Sequence, residues 1–214
     1  MLVCAGRNET LCYATPIGVG LVEASLGLAR ILFGGGVENI IFLGSAGTYS
    51  KEVLLFDMFY SIEATQIESS FLDGGSYTPI DNVVKIEEVD FDLFDLSSLW
   101  ADKHSDKNVS YETLANSINL KERVKHAVVN SSNYITTDEN KAKQMARAGI
   151  LLENMEFYAV MKVAQSFGVP AMGIFCVTNY CDKNAHKDFL SNHNVAKQKL
   201  ENFIESHNVW YKTK

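Results

Sequence analysis

Asn39-Ile40-Ile41-Phe42-Leu43-Gly44-Ser45-Ala46-Gly47 is the stretch that decides the fold. Its apolar residues run continuously instead of alternating, which predicts a strand covered on both faces, stopping at a loop formed by Gly44 to Gly47. Just upstream, Leu21, Val22, Ala24, Ser25, Leu28, Ala29, Leu32 and Phe33 recur at helical spacing. They begin after Pro16-Ile17-Gly18-Val19-Gly20 and end at Gly34, Gly35 and Gly36. A helix leading straight into a doubly covered strand is an α/β unit. Further upstream, residues 2–5 and 11–14 are short apolar runs joined by Arg7-Asn8-Glu9-Thr10, a pattern that predicts a β-hairpin with a solvated turn.

Downstream, residues 53–62 predict a further strand pair. Residues 81–106 then change texture. Glu87, Glu88, Asp90, Asp92, Asp95 and Asp102 are interleaved with Phe91, Leu93, Phe94, Leu96, Leu99 and Trp100, and the segment reads as an irregular acidic excursion. Residues 127–129 predict a strand entering the polar loop Asn130-Ser131-Ser132-Asn133. Helices follow over 138–148, ended by Gly149, and over 156–167, ended by Gly168. A final buried strand is expected over 171–177 and a closing helix over 186–206. No repeat or linker divides the chain, so residues 1–214 read as one domain.

The composition agrees and excludes several classes. The chain has 214 residues, 47% of them apolar, which is enough to bury one core. With 26 acidic against 19 basic residues the formal charge is −7, so there is no chain-wide basic field for a nucleic acid. No apolar run reaches the roughly 18 residues of a membrane span. Residues 1–6 lack the basic start of a signal peptide, and a cytoplasmic location is expected. Four cysteines at spacings unlike a metal set read as buried thiols, and five histidines add no metal site.

Three strand ends carry the candidate chemistry, since α/β sheets gather ligands there. Gly44-Ser45-Ala46-Gly47 offers amides and the Ser45 hydroxyl to an anion or a sugar oxygen, though alone it reads equally as a tight turn. In Ile150-Leu151-Leu152-Glu153-Asn154-Met155-Glu156, an apolar strand runs into two carboxylates and a methionine. Glu156 either complements a helix start or accepts the hydroxyls of a ribose on which Met155 packs. Val177-Thr178-Asn179-Tyr180-Cys181-Asp182 follows the last strand, where an asparagine is either a turn former or a functional amide.

In combination and in order, Pro16 to Gly20 before a helix, the Gly-Ser-Ala-Gly of 44–47, Asn154-Met155-Glu156-Phe157-Tyr158-Ala159 and Val177-Thr178-Asn179 resemble the purine nucleoside phosphorylase and methylthioadenosine/adenosylhomocysteine nucleosidase superfamily. The resemblance implies a three-layer α/β domain whose central mixed, partly barrel-like sheet is flanked by helices. It implies cleavage of an N-glycosidic bond through an oxocarbenium-like transition state. By position, Ser45 and Gly47 are similar to the nucleophile and sugar contacts. Ser131 and Ser132 open a loop similar to the base pocket, with Tyr134 stacking on the purine and the Ile135 backbone at its edge. Met155 and Glu156 correspond to the ribose clamp, and Asn179 to the catalytic position that helps the base leave. No cofactor or metal is implied, and pockets near subunit interfaces imply a homo-oligomer, at least a dimer.

The chain departs from the family at three places. Asn179 stands where most hydrolases of this type carry an aspartic acid; an amide donates hydrogen bonds but no proton, which suits a 6-oxopurine that spreads the departing charge onto its oxygen. Asp182 is expected to support its loop. Phe42 stands where phosphorylases keep a phosphate-binding arginine. Under the hairpin reading, the family's first strand and the loop supplying its nucleophile contacts have no counterpart, and Arg7 and Glu9 belong to a solvated turn. The asparagine points to phosphorolysis of a purine nucleoside, with a 6-oxopurine as leaving base and phosphate as co-substrate; without the arginine and the loop, anion binding would rest on Ser45, loop amides and an arginine such as Arg7 from another subunit. A hydrolytic nucleosidase and a nucleoside-binding or assembly protein that has lost its chemistry are the alternatives.

Overall fold

Residues 40–43 are apolar without interruption because both faces of their sheet carry helices. The computed structural model describes residues 1–86 and 124–206. In chain order the elements are β1 (Leu2–Cys4), a 3-10 turn at Arg7–Glu9, β2 (Thr15–Pro16), α1 (Gly20–Phe33), β3 (Ile40–Thr48), β4 (Met58–Ser61), β5 (Glu63–Thr65) and a short α2 (Ser69–Leu72). These are followed by β6 (Val83–Lys85), β7 (Lys125–His126), β8 (Val129–Ser131), α3 (Glu139–Arg147), β9 (Leu152–Asn154), α4 (Phe157–Ser166), β10 (Ala171–Tyr180) and α5 (Ala185–Ser206). The strands form one mixed sheet in the order β6-β5-β8-β9-β3-β10-β4-β7, with β1 joined to β3 and β2 joined to β1.

Strand alternation divides β3 between two cores. Ile40 and Phe42 face Ala24, Leu28 and Leu32 of α1 and Phe157 and Val160 of α4. Ile41 and Leu43 face Ala196, Leu200 and Ile204 of α5. Phe42, Phe157 and Phe175 make a three-ring contact inside the first core, with centroids 5.1 to 6.2 Å apart. Phe42 is thus fully buried packing.

α1 lies close to the chain that precedes it. A Cβ on Gly27 would come within 1.8 Å of the Ile17 carbonyl oxygen, a backbone atom with little room to retreat. Gly27→Ala is therefore expected to lower stability by about 2 to 3 kcal/mol through overpacking. The helix-propensity gain of about 1 kcal/mol is too small to offset it. Urea unfolding midpoints at equal m-value check this.

β3 has different neighbours along its two edges. β10 pairs with it in parallel from Ile40 to Thr48. On the other edge, β1 pairs in parallel with Ile41 to Leu43 and β9 pairs antiparallel with Gly47 and Thr48. Between these partners the ladder is interrupted at Gly44 to Ala46. β10 has a bulge at the same level, where Val177 pairs with Ala46 and Asn179 with Gly47, leaving Thr178 as the extra residue.

Several sequence expectations change here. The hairpin is overturned: β1 and β2 are parallel, registered Val3 to Thr15 and Cys4 to Pro16, and residues 11–14 form no strand. Gly44 to Gly47 is buried strand and not a loop, and the last strand runs on through Asn179 to Tyr180. Small residues continue β3 because a Cβ on Gly44 would meet the Phe42 ring at 2.7 Å and one on Gly47 the Asn179 amide at 2.9 Å, while β10 pairs with all four residues. The first residues of the acidic excursion include β6, paired to β5; residues 87–106 lie outside the described residues. The expected helices over 138–148, 156–167 and 186–206 are present, with ends shifted by a residue or two.

Candidate active site

The break in the β3 ladder is closed by side chains. With no strand opposite Ser45 on the edge shared by β1 and β9, its N–H donates to Glu9 Oε1 at 2.9 Å and its carbonyl accepts from Asn154 Nδ2 at 3.0 Å. The Asn154 Oδ1 atom accepts the N–H groups of Glu156 and Phe157, both at 2.9 Å, and so satisfies orphan donors at the start of α4. Glu156 is 2% exposed and accepts the Gly20 N–H at 2.8 Å, the first amide of α1. Asn133 accepts the next amide, that of Leu21, at 3.0 Å. The ladder break and the starts of α1 and α4 therefore converge on one place.

Glu9 is the residue the sequence reading missed. It was expected in a solvated turn; instead the 3-10 turn after β1 carries it under the sheet edge onto Ser45. Leu11, Gly44, Ser45, His193, Lys197 and Leu200 surround it in a small cavity. Burial pushes its carboxyl above the usual glutamate range, against the hydrogen bonds from Ser45 that favour the charged form. A carboxylate three residues after a strand-end glycine was the available signal, and the hairpin assignment hid it. Arg7, two residues earlier, points outward to Glu23 at 3.4 Å in an exposed pair, of the kind that contributes about 1 kcal/mol or less.

The second carboxyl is more strongly shifted. Burial, and then the negative charge of Glu9, push Glu156 up to about 8 from an ordinary 4.5, against the opposing bonds from Gly20, Asn154 and Met155. The folded chain therefore holds a proton that the unfolded chain releases near its ordinary pKa. The associated stability is complete below that value and is lost as pH rises through the folded one. Between about pH 6 and pH 8 this group costs roughly 2 kcal/mol of folding free energy. Glu156→Gln is expected to remove that part of the slope, measured as the difference between variant and wild-type denaturation midpoints at the two pH values.

The remaining predicted residues fall into two places. Met155 is half-buried beside Glu156. Asn179, 6% exposed, packs on Gly47 across the β3–β10 pair; a Cβ on Gly47 would stand 2.9 Å from Asn179 Nδ2 and 3.0 Å from Cys181 Sγ. Gly47 thus makes room for the amide. Asn179 Oδ1 accepts from the Thr178 hydroxyl at 2.9 Å, and its Nδ2 donates to the Tyr180 carbonyl at 3.2 Å. Asp182 accepts from Lys51 at 2.6 Å and from the Asn184 amide at 2.8 Å, and Lys51 holds its carboxyl below the usual range. It is a charged brace at the start of α5 and no proton donor.

Ser132, Tyr134 and Ile135 lie on the loop between β8 and α3. The buried Ser132 hydroxyl faces the Glu68 carboxylate at 3.3 Å and accepts the Tyr134 N–H at 3.2 Å. Tyr134 and Ile135 project outward, 76% and 43% exposed. Among the described residues, no group of three or more His, Cys, Asp or Glu side chains is placed to hold a metal, and no helix is long and apolar enough to cross a membrane.

Solved structures with the same arrangement of elements include a futalosine hydrolase mutant of Helicobacter pylori strain 26695. It is 18% identical with a TM-score of 0.71, and 97% of each chain is covered. The 5'-methylthioadenosine/S-adenosylhomocysteine nucleosidase of H. pylori, 17% identical, has a TM-score of 0.70 over 97% of this chain and 96% of that one. The corresponding nucleosidase of S. pneumoniae, bound to a transition-state inhibitor, is 12% identical with a TM-score of 0.68 and 96% of each chain covered. At these identities the likeness speaks for the fold. No curated protein matches the chain in sequence. Family membership rests on the sequence model described as the phosphorylase superfamily, which matches residues 2–206 and so takes in the Glu9 turn, the β3 ladder break and the Asn179 bulge alike. With fold and family model in agreement over the same residues, this chain belongs to the phosphorylase superfamily.

Proposed function

We propose that the chain hydrolyses the N-glycosidic bond of a purine nucleoside, with Glu9 as general base. The observation that carries this reading is the Glu9 carboxylate on the Ser45 amide. By sequence the expectation is phosphorolysis, with the anion resting on Ser45, loop amides and an arginine such as Arg7 from another subunit. That amide is donated to a carboxylate, and Arg7 is paired with Glu23. Phosphate would have to enter beside a negative charge, whereas water gains a base whose pKa is raised toward the working pH.

In the proposed reaction Glu9 takes a proton from water as the oxygen bonds to the anomeric carbon. The carbon–nitrogen bond breaks, and its electron pair leaves with the purine. Glu156 and Met155 hold the ribose, and Tyr134 and the Ile135 backbone meet the base. Asn179 stabilises the departing negative charge by hydrogen bonding, which favours 6-oxopurines. The base takes its proton from solvent, and Glu9 returns its own.

Phosphorolysis is the second reading, supported by His193 and Lys197 lining the same cavity as Glu9 and Ser45. Incubation with inosine, guanosine, adenosine, methylthioadenosine and futalosine, with and without phosphate, separates the two. Free sugar formed without phosphate is the expected result. Ribose 1-phosphate formed only with phosphate would transfer the reaction to the second reading, and turnover of none of these would sink both.

A further inference from the structure

Beside the proposed site, one buried carboxylate belongs to none of the roles given so far. Glu153 of β9 is 6% exposed and takes donors from three separate segments. The Thr136 amide and hydroxyl reach it at 2.9 and 2.5 Å, the Tyr49 hydroxyl at 2.8 Å, and the Cys181 thiol at 3.8 Å. Burial first, and then the Glu153 charge, push the Tyr49 hydroxyl and the Cys181 thiol well above their ordinary ranges, so both stay protonated as donors. A carboxylate buried with this many donors is held in place by a network that loses much when one member is removed.

The geometry of the loop gives the network a purpose. Tyr134 and Ile135 are exposed, so packing does little to place them. Their position is set by the residues on either side: Asn133 is tied to α1 by the Leu21 amide, and Thr136 is tied to Glu153 by two bonds. The same carboxylate receives Cys181, two residues beyond Asn179, and sits across the β3–β9 pair from Gly47, on which Asn179 packs. One side chain therefore joins the segment bearing Tyr134 and Ile135 to the strand end bearing Asn179.

We infer that Glu153 is a positioning residue for recognition of the base, setting the 134–135 segment against Asn179 while leaving the ribose and water side to Glu156 and Glu9. The inference rests on the function proposed above, because it takes 132–136 and Asn179 to be the base side of the site.

The test is Glu153→Gln, close in shape, alongside Thr136→Val, which cuts the hydroxyl link from the loop without touching β9. Thr136→Ser keeps both donors and serves as the conservative control. Expected in the first two variants is a KM for the best nucleoside raised roughly tenfold with kcat within about threefold, and wild-type values in the control. Amide exchange over 132–138 is expected to rise about tenfold in Glu153→Gln with β3 and α4 unchanged. A KM unchanged in both variants overturns the inference even if the loop loosens. So does a rise in exchange spread evenly over the chain, which marks Glu153 as fold support alone. Should the wild type cleave no nucleoside, the functional reading fails separately. Exchange over 132–138 then decides: a local rise upholds the positioning of the loop, and no change overturns it.

Discussion

Glu9→Gln is expected to lower kcat by about a hundredfold to ten-thousandfold, the usual contribution of a positioned general base. The substitution keeps the side chain's length and an acceptor oxygen for the Ser45 amide, so β1, its turn and the ladder break should hold their shape. A denaturation midpoint close to wild type checks this. The loss should appear in kcat with little change in KM, because the base acts in the transition state and contributes little to binding the nucleoside. The wild-type rate should rise with pH through the Glu9 ionisation, since the base works unprotonated, and the limb should lie above the range of an ordinary glutamate because burial raises this carboxyl. In the glutamine variant the limb should disappear. Retained turnover with an unchanged limb would remove Glu9 from the chemistry and return the reaction to phosphate attack.

Asn179→Ala is the second large effect. Removing a preorganised donor at the departing base is expected to cost about 2 to 4 kcal/mol of transition-state stabilisation, roughly a thirtyfold to thousandfold fall in kcat/KM. The fall should be steepest for inosine and guanosine, whose 6-oxo group takes up the departing charge, and smaller for adenosine. Equal losses across all of them would assign Asn179 to fold support on Gly47. Asn179→Asp makes the complementary comparison: it supplies a proton donor and is expected to move preference toward 6-aminopurines. Glu156, whose carboxyl is pushed up to about 8, connects these effects to folding. The same burial, with the Glu9 charge second to it, disfavours the folded state at alkaline pH.

Much of this architecture is legible in local pattern. The helical spacing of Ala24, Leu28 and Leu32 and the unbroken apolar run at 40–43 each report burial directly, so α1, β3 and the α/β class follow from them. Gly149 and Gly168 mark the ends of α3 and α4, where positive φ values of 83° and 69° suit residues without a Cβ. Met155-Glu156 and Asn179 stand out because chemically distinctive residues follow apolar runs. Local pattern failed where a strand contains no bulk. Gly44 to Gly47 resembles a turn, and only the pairing with β10 and the packing of Phe42 and Asn179 show why small residues continue β3 there.

What the sequence by itself determined is the class of fold, the order of the helices and the candidates at the strand ends, because these depend on periodicity and residue type along the chain. The tertiary structure alone decided that β1 runs parallel to β2 and β3, that the β3 ladder is interrupted opposite Ser45, and that Glu9 closes the gap. A hairpin and two parallel neighbours share the same short apolar runs. They differ in whether the second run folds back on the first or leads into a parallel pairing beside it at Thr15 and Pro16, and that depends on where β1 pairs with β3. The place of the Glu9 carboxylate follows from that pairing, since a solvated turn and a half-buried carboxylate on a strand edge have the same sequence.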